Sequence, residues 1–216
     1  MHIESRDAFT EDLSPREQFL ELATDWFTRE YRKPAGRRWA TFKAALNLFV
    51  QRGGTTIVET GCQRFHGDWG AGCSTMLFAR TIGAFGGELF SVDISDESCE
   101  VARSVAAELD ADVHVTCSDS VEFLRGFDKP IDLLYLDSMD YPLGWRASLE
   151  GQQESQQHCL DELVAAQRWL HANTVVLLDD NDLPGGGKPP LAKAWLREKG
   201  WHCVLDDQQS LWIHGG

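Results

Sequence analysis

Basic residues are scarce in this sequence: 20 lysines and arginines stand against 34 aspartates and glutamates, a net charge of −14. A surface that binds nucleic acid needs clustered Lys and Arg against the phosphates. The composition therefore argues against a nucleic-acid partner and favours a protein that acts on small molecules. The one basic cluster is either a solvated connector between two helices or a contact for an anionic substrate. It consists of Arg29, Arg32, Lys33, Arg37 and Arg38.

Paired cysteine motifs and long apolar runs are also missing. The six cysteines include no CxxC pair, so we predict neither a zinc site nor a disulfide framework. No run is long enough to cross a bilayer, and the first 13 residues lack the apolar core of a secretion signal. We expect a reduced, cytoplasmic protein without a membrane partner. Its 216 residues, 43% of them hydrophobic, suffice for one large domain.

The sequence is organised around residues 55–75, TTIVETGCQRFHGDWGAGCST. Its β-branched start favours a buried strand, which Glu59 and Gly61 end in a turn where the missing Cβ lets backbone amides approach a ligand. Ser74 then opens an apolar-periodic helix. A strand, a glycine turn and a helix N-terminus together can hold a carboxylate or a phosphate.

An acidic residue stands at the end of each of the next two predicted strands. ELFSVD ends at Asp93, where a carboxylate can accept hydrogen bonds from a ribose diol; the alternative is a helix cap. The third strand, residues 113–118, ends at Ser118 and Asp119. Asp119 is either an acid at a helix N-terminus or a partner of an adenine amino group.

Further carboxylates follow the fourth and fifth strands. The buried run IDLLYLD ends at Asp137, and the strand at residues 174–178 leads into DDND at residues 179–182. Carboxylates this close repel one another unless they are solvated or bound to a cation, and oxygen ligands suit magnesium or calcium. We favour a metal site over a solvated turn.

A long polar segment separates these two strands. Residues 138–157 exceed a usual connection and predict a lid or substrate loop, followed by a helix from Gln156 to His171. His158 falls opposite the apolar stripe of that helix, so it is either a surface histidine or a cleft residue.

The alternation of strands and helices, closed by a C-terminal hairpin, predicts the fold class. It is an α/β, Rossmann-like three-layer sandwich whose seven-stranded sheet is mostly parallel, with one antiparallel strand. We assign residues 1–54 to an N-terminal helical extension that covers the cleft and residues 55–216 to the main domain.

The ordered motifs IVETG, GAGCST, FSVDIS, VTCSDSVEFL and IDLLYLD resemble those of class I S-adenosylmethionine-dependent methyltransferases over residues 40–216. LYLD and LLDDND are similar to the metal-dependent catechol and caffeoyl-CoA O-methyltransferases. The stretch from GQQESQQHCLDEL to LLDDND also resembles small-molecule O-methyltransferases related to the cephalosporin-hydroxylase-like group. The resemblance implies that Asp137, Asp180 and Asn181 hold Mg²⁺ or another divalent cation.

The resemblance also implies how S-adenosylmethionine is held. Glu59 and the Gly61 turn would bind its methionine end, assisted by Ser74. Asp93 would bind the ribose hydroxyls. The adenine would lie against Ser118 and Asp119.

Two departures from the resemblance concern the nucleotide loop and the base. The glycine turn carries about ten extra residues, Cys62 to Ala71. The catechol-type lysine base is missing after Asp137, where Ser138-Met139-Asp140 stands instead. Asp140 or His158 could act as the base if its pKa is tuned toward neutrality. The candidate catalytic residues are therefore Asp137, Asp140 and His158.

We hypothesise metal-assisted methyl transfer to an oxygen of a small polar acceptor, such as an aromatic compound, a sugar or a natural product. Trp69 and Trp145 in predicted cleft loops hint at an aromatic or sugar acceptor. A dinucleotide-dependent oxidoreductase is disfavoured because residues 61–63 lack the G-x-G-x-x-G order. Because the lysine base is missing, a cofactor-binding protein without turnover stays a possible alternative. A homodimer is a separate possibility.

Overall fold

The computed structural model describes residues 27–70, 73–144 and 147–215, which form one seven-stranded sheet flanked by helices. The strands are β1 (Thr56–Thr60), β2 (Glu88–Asp93), β3 (Val113–Cys117), β4 (Ile131–Leu136), β5 (Leu170–Leu178), β6 (Trp201–Asp206) and β7 (Ser210–His214). The α-helices are α1 (Arg38–Gln51), α2 (Ser74–Phe85), α3 (Asp96–Glu108), α4 (Ser120–Gly126), α5 (Leu149–Ala166) and α6 (Pro190–Glu198).

The strand order is β3-β2-β1-β4-β5-β7-β6, and only β7 runs against its neighbours. Strands β1 to β5 pair in parallel because a helix or a helix-containing connection returns the chain after each of them. The tight turn between β6 and β7 instead reverses the chain. The predicted three-layer fold with one antiparallel strand is confirmed.

Two hydrophobic cores fill the layers on either face of the sheet. Successive strand residues alternate between them: Ile57 joins the core under α1 and α2, whereas Val58 joins the core under α4, α5 and α6. Phe42 of α1 packs edge-on against Phe78 of α2 and also contacts Tyr135 of β4. Helix α1 is thus packed against the sheet.

The carboxyl ends of the four central strands lie at one edge of the sheet. Thr60 pairs in register with Val92 on one side and with Leu136 on the other, and Leu136 pairs with Leu178. Gly61 follows at a φ of 85°, and a Cβ there would collide with the Asp137 carbonyl oxygen. A glycine is therefore required for β1 and β4 to end side by side.

The structure differs from the sequence-based expectation around α5. This helix begins at Leu149, so the predicted loop at residues 138–157 is partly wrong. The Ser148 hydroxyl accepts a hydrogen bond from the Gly151 amide at 3.0 Å and caps the helix. Its first turns are mostly exposed, so they lack the apolar periodicity that predicts a helix. Strand β5 begins at Leu170, where a helix was expected.

Cys99 of α3 and Cys117 of β3 lie side by side, with Cα atoms 6.1 Å apart. One such contact makes no disulfide framework, and the reduced state expected from the sequence stays a prediction. An 18-residue spacing without a motif gives no sequence signal for this contact. Ser14-Pro15-Arg16-Glu17 has the capping-box pattern that predicts a helix start, but these residues and Trp145 lie outside the described residues. Across the described ranges, no helix has the length and apolar character needed to cross a membrane.

Candidate functional site

A cavity of about 490 Å³ opens at the carboxyl edge of the sheet. Its walls come from the loops after β1, β2 and β4, from the start of α2 and from Arg38 of α1. Six predicted site residues line it: Gly61, Ser74, Asp93, Asp137, Asp140 and Asp180. The other five predicted site residues do not: Glu59, Ser118, Asp119, His158 and Asn181.

The Asp93 carboxylate joins two loops of the cavity wall. Its Oδ2 accepts from the Cys62 amide at 2.9 Å, and its Oδ1 accepts from the Ser95 amide at 2.8 Å. Each carboxylate oxygen has a second acceptor site, so the group can still receive hydrogen bonds from ligand hydroxyls. The position predicted for a ribose contact is thus on the wall.

Glu59 lies behind the wall and is fully buried. Its carboxylate accepts hydrogen bonds from Ser74, from Thr75 at 2.8 Å and from Ser91 at 2.5 Å. Burial raises the pKa of Glu59 to about 7, against the lowering effect of these hydroxyl donors. In this structure Glu59 holds the start of α2 against β1 and β2 and does not face the cavity.

Gln63 was not predicted but lines the cavity within the inserted loop. Its amide nitrogen donates to the Phe65 carbonyl at 2.9 Å. Its Oε1 is buried and has no hydrogen-bond partner among the residues the structure describes. A buried acceptor without a donor costs about 1–3 kcal/mol, so a ligand donor that reached Oε1 would be stabilised.

A cluster of three carboxylates lies at the floor of the cavity: Asp137 and Asp180 line it, and Asp179 is buried behind them. Asp137 follows β4, while Asp179 and Asp180 follow β5, and one oxygen from each lies within 4.8 Å of the others. Arg38 Nε donates to both oxygens of Asp179, at 3.1 and 2.9 Å. Lys188 Nζ donates to Asp137 Oδ1 at 2.5 Å and lies 3.1 Å from Asp180 Oδ2. Two cations of the chain thus neutralise most of the cluster.

Lys188 is the other residue that the sequence analysis missed. A Cβ at Gly187 would overlap the Asp180 carbonyl oxygen, so only glycine lets the chain pass close enough to bring the next residue to the carboxylates. Burial alone would lower the pKa of Lys188, but Asp137, Asp180 and Asp179 raise it, which keeps the ammonium charged. Burial and the carboxylates of Asp179 and Asp180 raise the pKa of Asp137, although Lys188 lowers it.

Asn181 points away from the cavity, into a separate cleft beside the β6–β7 hairpin. Its amide nitrogen donates to Asp206 Oδ1 at 2.7 Å and to the Asp207 carbonyl at 2.6 Å, and its oxygen accepts from Lys193 at 2.8 Å. The structure therefore does not bring the three predicted metal ligands together. Because Asp137 and Asp180 already share the Lys188 ammonium, these residues do not fit the implied magnesium ion.

The two candidate bases differ in their access to the cavity. Asp140 is exposed at the mouth, 3.4 Å from Arg64 Nη1. His158 reaches the wall only through Ser138: its Nε2 lies 3.0 Å from Ser138 Oγ, which donates to Glu162 at 2.7 Å. The hydrogen bond to Glu162 raises the pKa of His158. The structure thus favours Asp140 over His158 for contact with a bound molecule.

Ser118 and Asp119 lie beside the cavity without lining it. Asp119 caps α4 by accepting from the Glu122 amide at 2.9 Å, and the Ser118 amide donates to the Asp93 carbonyl at 3.0 Å. The helix-cap alternative for Asp119 is therefore realised, and its contact with adenine stays a prediction. Trp69 is not on the wall; its ring packs against that of Tyr31, 5.1 Å between centroids.

The basic cluster predicted from the sequence is divided. Arg38 is buried against Asp179, whereas Arg37 is exposed and pairs with Asp182 and Asp207. Arg32 lies over the Trp39 ring, 5.1 Å from its centroid. Of these residues, Arg38 reaches the cavity wall, so the cluster is not a single substrate contact.

Comparisons with known proteins bear on the family and the fold. A family model described as a methyltransferase domain matches residues 68–181, more than half of the chain. A search of curated proteins finds no match. Solved structures similar to the chain include enzymes described as rRNA methyltransferases, so the fold by itself does not select an acceptor.

Three similar structures illustrate the range of relatives. CalS11, described as a calicheamicin methyltransferase, is 14% identical with a TM-score of 0.57, and the match covers 100% of this chain and 98% of CalS11. PaMTH1 of Podospora anserina, solved with S-adenosylhomocysteine (SAH), is 12% identical with a TM-score of 0.57, covering 91% and 87%. NSun6 of Pyrococcus horikoshii is 15% identical with a TM-score of 0.55; the match covers 73% of this chain but only 46% of NSun6. The chain belongs to the methyltransferase domain family, and its fold is that of the class I S-adenosylmethionine-dependent methyltransferases.

Proposed function

We propose that this protein transfers a methyl group from S-adenosylmethionine to an oxygen of a small polar acceptor. The observation that carries the proposal is one cavity lined by two kinds of group. These are the Gly61 turn with Asp93, and the carboxylates of Asp137 and Asp180 next to that turn. The family match supports methyl transfer, and the likeness to a calicheamicin methyltransferase favours a small acceptor.

The residues around the Gly61 turn fit S-adenosylmethionine. Asp93 has acceptor capacity left for ribose hydroxyls, and the unpartnered Gln63 Oε1 would accept from the ammonium of the methionine part. Glu59 would act indirectly, by holding Ser74 and the start of α2 in place. When bound, the cofactor supplies a methyl group on a positively charged sulfur, so the enzyme has mainly to orient the acceptor.

The carboxylates of the cavity would bind the acceptor and remove its proton. The Asp137 carboxylate lines the cavity, and its raised pKa makes it a better proton acceptor than an ordinary aspartate. Asp140 at the mouth would orient a polar group of the acceptor. We leave magnesium out of this chemistry because Lys188 already binds the carboxylates that would hold the ion.

Charge favours a small acceptor over a nucleic acid. The net charge of −14 opposes the approach of a polyanion. An aromatic compound, a sugar or a natural product with a free hydroxyl fits this environment. An RNA acceptor is the alternative that the assay below must include.

A methyl-transfer assay tests the proposal. The protein is incubated with S-adenosylmethionine labelled in its methyl group and a panel of hydroxyl acceptors, with rRNA as a separate arm. We expect labelled methyl ethers from at least one small acceptor and loss of turnover in Asp137→Asn. Label incorporated into rRNA alone, or into nothing although SAH binds, would overturn the proposal.

A further inference from the structure

We propose that Lys188 is a built-in cation that replaces a divalent metal ion at the floor of the cavity. Its ammonium holds Asp137 and Asp180 side by side, and the protein works without a bound metal. The inference rests on the proposed function for its effect on turnover, but the occupancy of the site can be tested without any catalysis.

The ammonium occupies the same oxygens that a metal would need. Lys188 Nζ donates to Asp137 Oδ1 at 2.5 Å and lies 3.1 Å from Asp180 Oδ2. Those carboxylates follow two adjacent parallel strands, β4 and β5. The third carboxylate, Asp179, receives Arg38 on both of its oxygens.

The loop that delivers the ammonium is fixed at several points. Gly187 passes against the Asp180 backbone, and its carbonyl accepts from Gln156 of α5 at 3.0 Å. The Pro184 carbonyl accepts from the Tyr141 hydroxyl at 2.7 Å. The Lys188 side chain is only 4% exposed. A charged group so deeply buried would be costly away from its carboxylates, so it does not leave them readily.

Charge balance explains why a metal ion would not be added to this arrangement. The three carboxylates and the cations of Arg38 and Lys188 leave one excess negative charge at the floor. A divalent ion would have to displace the ammonium and leave it buried without a partner. Without the Lys188 charge, two adjacent carboxylates would lose their counter-ion and form an oxygen site suited to Mg²⁺ or Mn²⁺.

Titration with Mn²⁺ tests the inference, because the electron paramagnetic resonance signal of free Mn²⁺ falls on binding. The proteins are the wild type, Lys188→Met, Asp180→Asn and the double variant Lys188→Met with Asp180→Asn, all first treated with EDTA. We expect Lys188→Met to bind one Mn²⁺ at least about tenfold more tightly than the wild type. The double variant should lose that gain, and Mn²⁺ should stimulate turnover only in Lys188→Met.

Two results would overturn the inference. One is a wild-type protein that binds one Mn²⁺ and loses it on the Asp180→Asn substitution alone, since a metal and the ammonium cannot share those oxygens. The other is a folded Lys188→Met protein with no gain in Mn²⁺ binding. If Lys188→Met does not fold, the wild type and Asp180→Asn decide the question. None of these titrations requires methyl transfer, so they fail or succeed independently of the proposed function.

Discussion

Arg38 Nε donates to both carboxylate oxygens of Asp179, at 3.1 and 2.9 Å, and this pair ties α1 to the end of β5. The two residues are 141 positions apart and both are buried. Burial alone would raise the pKa of Asp179, but Arg38 lowers it, so the carboxylate stays charged. The floor of the cavity therefore depends on a helix that the sequence analysis assigned to an N-terminal extension.

Removal of the Arg38 charge should strongly destabilise the protein. Arg38→Met leaves Asp179 buried without its main partner, which costs about 3–5 kcal/mol in the free energy of unfolding. Arg37→Met is the matched control, because the neighbouring arginine is exposed and its ion pairs lie in solvent. Urea denaturation measures both. If both substitutions lowered the free energy of unfolding equally, the buried Arg38–Asp179 pair would not stabilise the protein more than the exposed pairs do.

Glu59 should make stability depend on pH. Its pKa is raised to about 7 in the folded protein by burial, above the unfolded value of 4.5. Its contribution to stability is therefore fully present below about pH 4.5 and is lost as the pH rises through about 7. The loss is on the order of 3 kcal/mol, from the size of this pKa difference.

The variant Glu59→Gln isolates this effect, because it removes the titrating group and leaves the others. Its free energy of unfolding should change less between pH 5 and pH 8 than that of the wild type. The exposed Glu108→Gln serves as control and should retain the wild-type slope. Parallel curves for wild type and Glu59→Gln would show that Glu59 does not titrate in this range.

Gly187→Ala should displace Lys188. Its φ of 67° strains any other residue, and an added Cβ would overlap the Asp180 backbone. Gly200→Ala is the control, since Gly200 has a φ of 80° but open space around its Cβ position. We expect Gly187→Ala to lose both turnover and more thermal stability than Gly200→Ala, which carries only the backbone strain of about 1–2 kcal/mol. Equal melting temperatures for Gly187→Ala and Gly200→Ala would contradict the close approach of Gly187 to the Asp180 backbone.

Gln63 should contribute to cofactor affinity. Gln63→Leu removes the buried Oε1 that has no hydrogen-bond partner among the described residues, so a hydrogen bond to the ligand ammonium is lost. The expected weakening of SAH binding is about tenfold, the equivalent of one good hydrogen bond. Calorimetric titration measures it, with the exposed Gln153→Leu as control. If Gln63→Leu bound SAH with the wild-type affinity, Gln63 would not contact the cofactor.

The fold could be predicted because its signals are local. Val58 and Leu134 sit in short apolar runs, and the alternation of such runs with helical patterns specifies a parallel sheet. Parallel strands end at one edge, and for this reason Asp93, Asp137 and Asp180 all line one cavity. Their roles there stay predictions.

The rest of the site depends on contacts between distant segments. Lys188 comes 51 residues after Asp137, and only the backbone path at Gly187 brings them together. Asn181 directly follows Asp180 in sequence, yet the hairpin binds its side chain on the other side. Glu59 ends the right strand, but three hydroxyl donors bury it behind the wall. Hydrophobic periodicity and motif spacing do not predict the direction in which these side chains point.

A thermal-shift titration with SAH in the presence of EDTA tests whether this cavity holds S-adenosylmethionine. At about 100 times its Kd the ligand should add roughly 2.7 kcal/mol, which raises Tm by several degrees in a protein of this size. We expect this shift in the wild type without added metal, and a clearly smaller one in Asp93→Asn. No shift in the wild type, or an equal shift in Asp93→Asn, would contradict this expectation.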